Sequence, residues 1–176
     1  VLYFSNLTNS SINNVDLTRT GGTQFGRGIY VANGLTSYPF SITNCAVGNR
    51  RTGIHISGGR NYTVQNNTLT GSGNNFSEPA LYLNALTVNS NLVINGNTFG
   101  GANFNTGIRV ENTSDLLISD GTVSGTHIGV TTANGLGNAT GNALYLANLT
   151  RTKVQNMDLS FTTTTRTGTG IQVTTN

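Results

Sequence analysis

Charge is what this sequence has least of. Only 9% of its 176 residues are charged, against about a quarter in ordinary globular chains. Nine basic and six acidic groups leave a net charge of +3, and no dense Lys/Arg stripe is present, which argues against a nucleic-acid partner. The six acids show no metal-ligand spacing, so neither a metal nor another cofactor is expected. One cysteine, Cys45, excludes an internal disulfide framework and reads as a buried small hydrophobe. No apolar run approaches the length that spans a bilayer, so membrane insertion is not expected. No phosphate-cradling glycine loop with its lysine occurs. Helix formers are scarce, while Gly, Asn and Thr, all poor in helix interiors, are abundant. Low charge with few aromatics also marks disordered chains, but disorder does not produce a regular apolar period.

Such a period is present. The stretch Gly28-Ile29-Tyr30-Val31 returns as Gly53-Ile54-His55-Ile56, Ala80-Leu81-Tyr82-Leu83, Gly107-Ile108-Arg109-Val110, Ala143-Leu144-Tyr145-Leu146 and Gly170-Ile171-Gln172-Val173, and the chain opens on Val1-Leu2-Tyr3-Phe4. A second motif follows each of the first six in chain order. It runs Ile12–Leu17, Ile42–Val47, Val64–Leu69, Ile94–Phe99, Ile118–Val123 and Val154–Leu159. From the start of the first motif to the start of the second is 11 residues in four units (1 to 12, 53 to 64, 107 to 118, 143 to 154) and 14 in two (28 to 42, 80 to 94). The return to the next unit varies more, so one side of the unit is constant and the other carries insertions.

The third position of the second motif is Asn14, Asn44, Asn66, Gly96, Asp120 and Asn156. Asn, Gly and Asp tolerate a left-handed backbone at least cost, so this position reads as a sharp bend between two short strands. Its stacked side chains are expected to hydrogen-bond between units as an asparagine ladder. Apolar residues alternate with polar ones on either side of the bend, as half-buried strands require. A self-similar unit of this length implies a stacked repeat. The reading is an all-β chain: one right-handed, single-stranded parallel β-helix (a solenoid) over residues 1–176, with about six coils of three short strands each. Neither end shows a polar cap, so the expectation is a segment of a longer chain, or ends that meet partner coils. On this repeat and its Asn-type bend the sequence resembles the right-handed parallel β-helix repeat family, the pectate-lyase-like group, over essentially its whole length.

By the alternation of the strand, the third residue of the first motif points outward. Down the stack this column is Tyr3, Tyr30, His55, Tyr82, Arg109, Tyr145 and Gln172, beside the small residues Gly28, Gly53, Ala80, Gly107, Ala143 and Gly170. Rings beside small residues make a shallow shelf, and tyrosines suit sugars, which carry apolar faces and hydroxyl edges. Tyr3, Tyr30, His55, Tyr82, Arg109 and Tyr145 are therefore the candidate ligand-binding residues. The competing reading is a surface ladder that only stabilises strand pairing. Arg27, Arg50, Arg51 and Arg109 lie near the same face and can read carboxylates, or simply be solvated. His55 is a candidate general base, or an ordinary residue on an exposed strand. Calcium-dependent lyases of the resembled family carry an acidic metal cluster and an arginine base, and no such cluster transfers to this chain. Glu78 and Glu111 alone of the acids fall near the shelf. His127 sits in the longest loop and stays unassigned, and the Thr162–Thr165 run is reminiscent of ice-binding threonine arrays but lacks their repetition in register on many coils.

The expected function is an extracellular or surface-exposed module of a larger protein: structural spacer, adhesin segment or glycan-binding surface. Its partners would be a polysaccharide or cell-surface glycan, and flanking domains or coils of the same protein. The alternative is a polysaccharide lyase or epimerase acting on an acidic glycan through His55 with Arg50, Arg51 or Arg109.

Overall fold

The computed structural model describes residues 1–20, 26–33, 39–71, 76–84, 91–101, 104–124, 142–159 and 169–175. Fifteen strands and no helix are found among them. In chain order they are β1 (Leu2–Ser5), β2 (Ser10–Asn13), β3 (Arg27–Ala32), β4 (Phe40–Thr43), β5 (Ala46–Gly48), β6 (Thr52–Ser57), β7 (Tyr62–Gln65) and β8 (Thr68–Gly71). There follow β9 (Phe76–Asn84), β10 (Leu92–Asn95), β11 (Thr98–Gly101), β12 (Phe104–Ser119), β13 (Thr122–Ser124), β14 (Asn142–Gln155) and β15 (Thr169–Thr174).

Each strand pairs in parallel with its equivalent in the next unit. First-motif residues stack along β1-β3-β6-β9-β12-β14-β15. Second-motif residues stack along β2-β4-β7-β10-β12-β14. The segment after the bend forms a separate four-stranded sheet, β5-β8-β11-β13. Because β12 and β14 run through both of the first two stacks, those stacks belong to one eleven-stranded sheet. The fold is therefore all-β and all-parallel, in a strongly curled sheet. Three separate short strands per unit holds where β6 and β7 are distinct; in β12 and β14 the first two are continuous. The reason is that residues 111–119 and 147–155 stay hydrogen-bonded to one another through the corner.

Alternation decides what is buried. Ile29, Val31, Ile54, Ile56, Leu81, Leu83, Ile108, Val110 and Leu144 are all fully buried. They meet Ile42, Val64, Ile94 and Ile118 from the second motif and Val47, Leu69, Phe99 and Val123 from the third stack. Each such side chain contributes about 1.5–3 kcal/mol on burial. The small column of the first motif also faces inward. A Cβ on Gly53 would stand 2.7 Å from the Ala80 carbonyl oxygen, and one on Gly107 would stand 2.8 Å from a Val123 methyl. These residues are small because the third stack closes onto the first there. The sequence expectation of a surface shelf built from them is corrected on that point.

The predicted left-handed bend is present in every unit, with φ between 51° and 62° at Asn14, Asn44, Asn66, Gly96, Asp120 and Asn156. Two further left-handed columns went unforeseen. One follows the first motif, at Asn6, Gly58, Asn112 and Asn148. The other precedes the second, at Asn9, Asn61, Asn91, Asp115 and Arg151, with φ from 46° to 56°. These two corners stand three residues apart in the short units, as at Asn6 and Asn9, Gly58 and Asn61, Asn112 and Asp115, and Asn148 and Arg151. Arg151 is an unusual occupant of this backbone region. Its Nε and Nη2 donate to Asp115 of the adjoining unit at 2.6 and 2.8 Å.

The expected bonding between units occurs at the bend, and a second, buried asparagine ladder stands beside it. The bend side chains make exposed contacts, such as Asn156 Nδ2 to Asp120 Oδ1 at 3.1 Å. The buried ladder stands one residue later, at Asn67 and Asn97, each 1% exposed. Asn67 Oδ1 accepts from the Cys45 amide at 2.9 Å, and Asn97 Oδ1 accepts from both the amide and Nδ2 of Asn67 at 2.9 Å. Asn67 Nδ2 and Asn97 Nδ2 donate to the Ile42 and Val64 carbonyls. Cys45 occupies the same column, buried as expected, with its Sγ 3.8 Å from the equivalent Ile12 carbonyl. The strip faces inward yet is satisfied at both ends of each amide, which is what lets it be buried.

Two measurements check these assignments. Asn97→Ala strands the Asn67 amide and the Val64 carbonyl, so it should cost about 3 kcal/mol in urea unfolding. Tyr62 is buried, stacked on Phe40 at 4.7 Å, and its hydroxyl has no hydrogen-bond partner among the described residues; Tyr62→Phe should therefore be neutral or stabilising by about 1 kcal/mol. Hydrogen bonds from Arg151 hold the Asp115 carboxyl below its ordinary value of 3.8. A lowered folded-state pKa stabilises above the unfolded pKa and is lost as pH falls through the folded one. The melting temperature of Asp115→Asn should thus respond less to acidification below about pH 3.8 than that of the parent.

Candidate functional site

The third residues of the first motif form one straight column. Tyr3, Tyr30, His55, Tyr82, Arg109, Tyr145 and Gln172 are register partners from strand to strand. Parallel strands lie about 4.8 Å apart, close to the separation at which rings pack. The column consequently stacks on itself. Ring centroids lie 5.3 Å apart for Tyr3 and Tyr30, 4.9 Å for Tyr30 and His55, and 4.7 Å for His55 and Tyr82. Arg109 continues the row, its guanidinium carbon 5.3 Å from the Tyr82 centroid and 5.0 Å from that of Tyr145. Arg27 lies over Tyr30 at 4.3 Å.

A second outward column runs two residues further along, through Ser57, Asn84, Glu111, Ala147 and Thr174. Diagonal hydrogen bonds tie the two columns together between adjoining units. His55 Nε2 and Asn84 Oδ1 are 2.9 Å apart, and the Tyr82 hydroxyl donates to Glu111 Oε2 at 2.8 Å. Thr174 Oγ1 lies 3.4 Å from the Tyr145 hydroxyl. Diagonal neighbours of this kind are within reach of long side chains on a sheet face. The partnership of Asn84 and Glu111 with the column was readable in principle, since residues two apart in a strand share a face.

Several candidate residues take on different roles in this geometry. His55 is not on an exposed strand: it is 6% exposed, closed between Tyr30 and Tyr82. Arg109 is committed to Glu111, with Nε and Nη2 at 2.9 and 2.6 Å from Oε1. Burial works against the charge on Arg109, but the Glu111 hydrogen bonds and charge outweigh it and hold its pKa above the ordinary value. Arg50 turns toward the third stack, with Nη2 3.5 Å from the Leu17 carbonyl. Arg27 and Arg51 do come together, in an open cleft of about 420 Å³ also lined by Val1, Gly26, Tyr30 and Thr52. His55, Arg50 and Arg109 are not on its lining. The side chain of Glu78, and all of His127 and Thr162–Thr165, lie outside the described residues.

Comparison with family models, with curated proteins and with solved structures found no match. Among the described residues, no cluster of three or more His, Cys, Asp or Glu has metal-binding geometry, and no helix is long and apolar enough to cross a membrane.

The central ring is the place to test the column. His55→Ala removes two ring contacts, each worth about 0.5–1.5 kcal/mol beyond area burial. Urea unfolding should show a loss of about 1–3 kcal/mol, with a change in the near-ultraviolet tyrosine signal; an unchanged midpoint would mean that the rings merely coexist.

Proposed function

We propose that this chain is a non-catalytic structural module: a rigid spacer in a larger extracellular or surface-exposed protein. In this reading the parallel sheets form a right-handed single-stranded β-helix of about six coils, the architecture that the repeat resembles in the pectate-lyase-like group. Right-handedness follows from the strong preference for right-handed crossovers between parallel strands of one sheet. Six steps of about 4.8 Å make a rod about 29 Å long.

One observation carries the choice of spacer over enzyme. At the centre of the outward column the His55 ring is held between those of Tyr30 and Tyr82, at 4.9 and 4.7 Å. A sugar needs such a face to stack on, and a general base needs hydrogen-bond reach to its substrate. A buried, sandwiched His55 offers neither. A second reading, an adhesin segment that binds an acidic glycan, draws support from the cleft that holds Arg27 and Arg51, since guanidinium groups pair with carboxylates. A lyase or epimerase acting through His55 draws no comparable support.

Three assays separate these readings. The spacer reading expects Tyr82→Ala to lower the unfolding midpoint, a glycan array to stay blank for parent and Tyr82→Ala alike, and uronate polymers to be left uncleaved. Array binding lost in an Arg27→Ala/Arg51→Ala double variant that still melts like the parent would move the assignment to the adhesin. Turnover abolished by His55→Gln would move it to the enzyme.

A further inference from the structure

The corner before the second motif is occupied in chain order by Asn9, Pro39, Asn61, Asn91, Asp115 and Arg151. All but Pro39 are left-handed there. The proline ring holds φ near −65° and forbids that conformation. Elsewhere this corner bonds along the stack. Asn91 Nδ2 donates to Asn61 Oδ1 at 2.9 Å, and Arg151 Nε donates to Asp115 Oδ1 at 2.6 Å. The proline side chain has no polar atom, so the chain of bonds stops at it. Asn9 and Asn61 are left on either side, two steps or about 9.6 Å apart. The outward column alongside is open as well. Ser11, Ser41 and Thr63 are register partners, and hydroxyls this short do not bridge a step of about 4.8 Å. In the next column the longer side chains do: Thr43 Oγ1 donates to Asn13 Oδ1 at 3.0 Å, and Gln65 Nε2 to Asn95 Oδ1 at 3.2 Å. Asn9, Ser11, Pro39, Ser41, Asn61 and Thr63 together line an open cleft of about 420 Å³, and none of the described residues on its walls is charged.

We propose that this cleft binds a neutral saccharide, and that Pro39 opens it by interrupting the corner ladder. A sugar hydroxyl both donates and accepts hydrogen bonds, and so do the Ser and Thr hydroxyls and the Asn amides that face it. The exposed Pro39 ring supplies an apolar patch for the C–H face of a sugar. The volume falls in the range of small-molecule sites and suits a mono- or disaccharide. Uncharged walls set the site apart from the cleft with Arg27 and Arg51, whose guanidinium groups suit carboxylates. The two clefts share no lining residue. Asn91 shows what Pro39 replaces. It precedes β10 in the other long unit as Pro39 precedes β4, it takes the left-handed corner, and its amide closes onto Asn61. The site goes beyond the spacer reading and does not depend on it. A few exposed hydrogen bonds give a Kd on the order of 1 mM, which the washing of an array does not retain, so the blank array expected of a spacer is compatible with it.

The test is a solution titration of the 15N-labelled 176-residue chain with maltose, cellobiose and lactose, followed by amide NMR. At least one of the three should move the signals of Ser11, Ser41 and Thr63 saturably. Ser41→Ala/Thr63→Ala removes hydroxyls from the floor and should weaken that binding by about tenfold. Pro39→Asn restores the missing rung and should weaken it by a similar factor. The spectrum of each free variant reports whether it folds, and should either unfold, the other carries the comparison. Galacturonate, which is charged, should bind this cleft no more tightly than the neutral sugars. The proposal is overturned if none of the three sugars gives a saturable shift, or if sorbitol moves the same signals as far. It is equally overturned if the shifts survive substitution of the cleft, or centre on Arg27 and Arg51, an outcome that would favour the adhesin reading.

Discussion

Parallel pairing of like with like, at about 4.8 Å per step, is the constraint on which everything else in this molecule depends. It puts each residue beside its own equivalent, so a column is only as good as its self-association. Aliphatic columns close into a core, rings stack, and amides chain. A column of like charges fails, because two equal charges at this spacing repel by roughly 1 kcal/mol in water and several times that in a less polar setting. The 9% charge content is the sequence-level trace of that rule. Two of the charges that enter columns are matched: Arg151 stands beside Asp115, and Arg109 sits between two tyrosine rings with Glu111 at its side.

The corners obey the same rule by different chemistry. The chain turns sharply through left-handed backbone at most of its described corners, and Asn and Gly accept it cheaply. Asn also brings an amide that bonds to its neighbour, as Asn91 does to Asn61 and Asn148 to Asn112. The high Asn content is thus a property of the turns. The buried pair Asn67 and Asn97 has a separate origin, satisfying inward backbone groups that the curled strands leave unpaired.

On the outer face, self-association and ligand binding compete for the same surface. A ring already covered on both faces presents only its edge. His55 is covered in this way by Tyr30 and Tyr82, while Arg27 and Arg51 line an open cleft with Tyr30. Among the described residues, the large exposed apolar groups Val1, Tyr3, Ile171 and Val173 lie at the two ends of the stack.

Legibility followed the periodicity. The two motifs, the alternation of Ile29 with Val31 or Leu81 with Leu83, the register of the outward column and the bend at Asn14 and its equivalents are all one-dimensional patterns. The sequence by itself determined them, because neighbours in the stack are equivalents in the repeat. What it did not decide is how the three stacks meet. Gly53 and Gly107 face inward because the third stack closes onto the first, and Asn67 rather than Asn66 carries the buried amide because the curl turns that side chain in. His55 is buried because the residues on either side of it are both tyrosines that lean over it. Those outcomes depend on contacts between units and between stacks. Only the tertiary structure sets such contacts, since each is a distance between residues some 20 to 36 positions apart that no local pattern encodes.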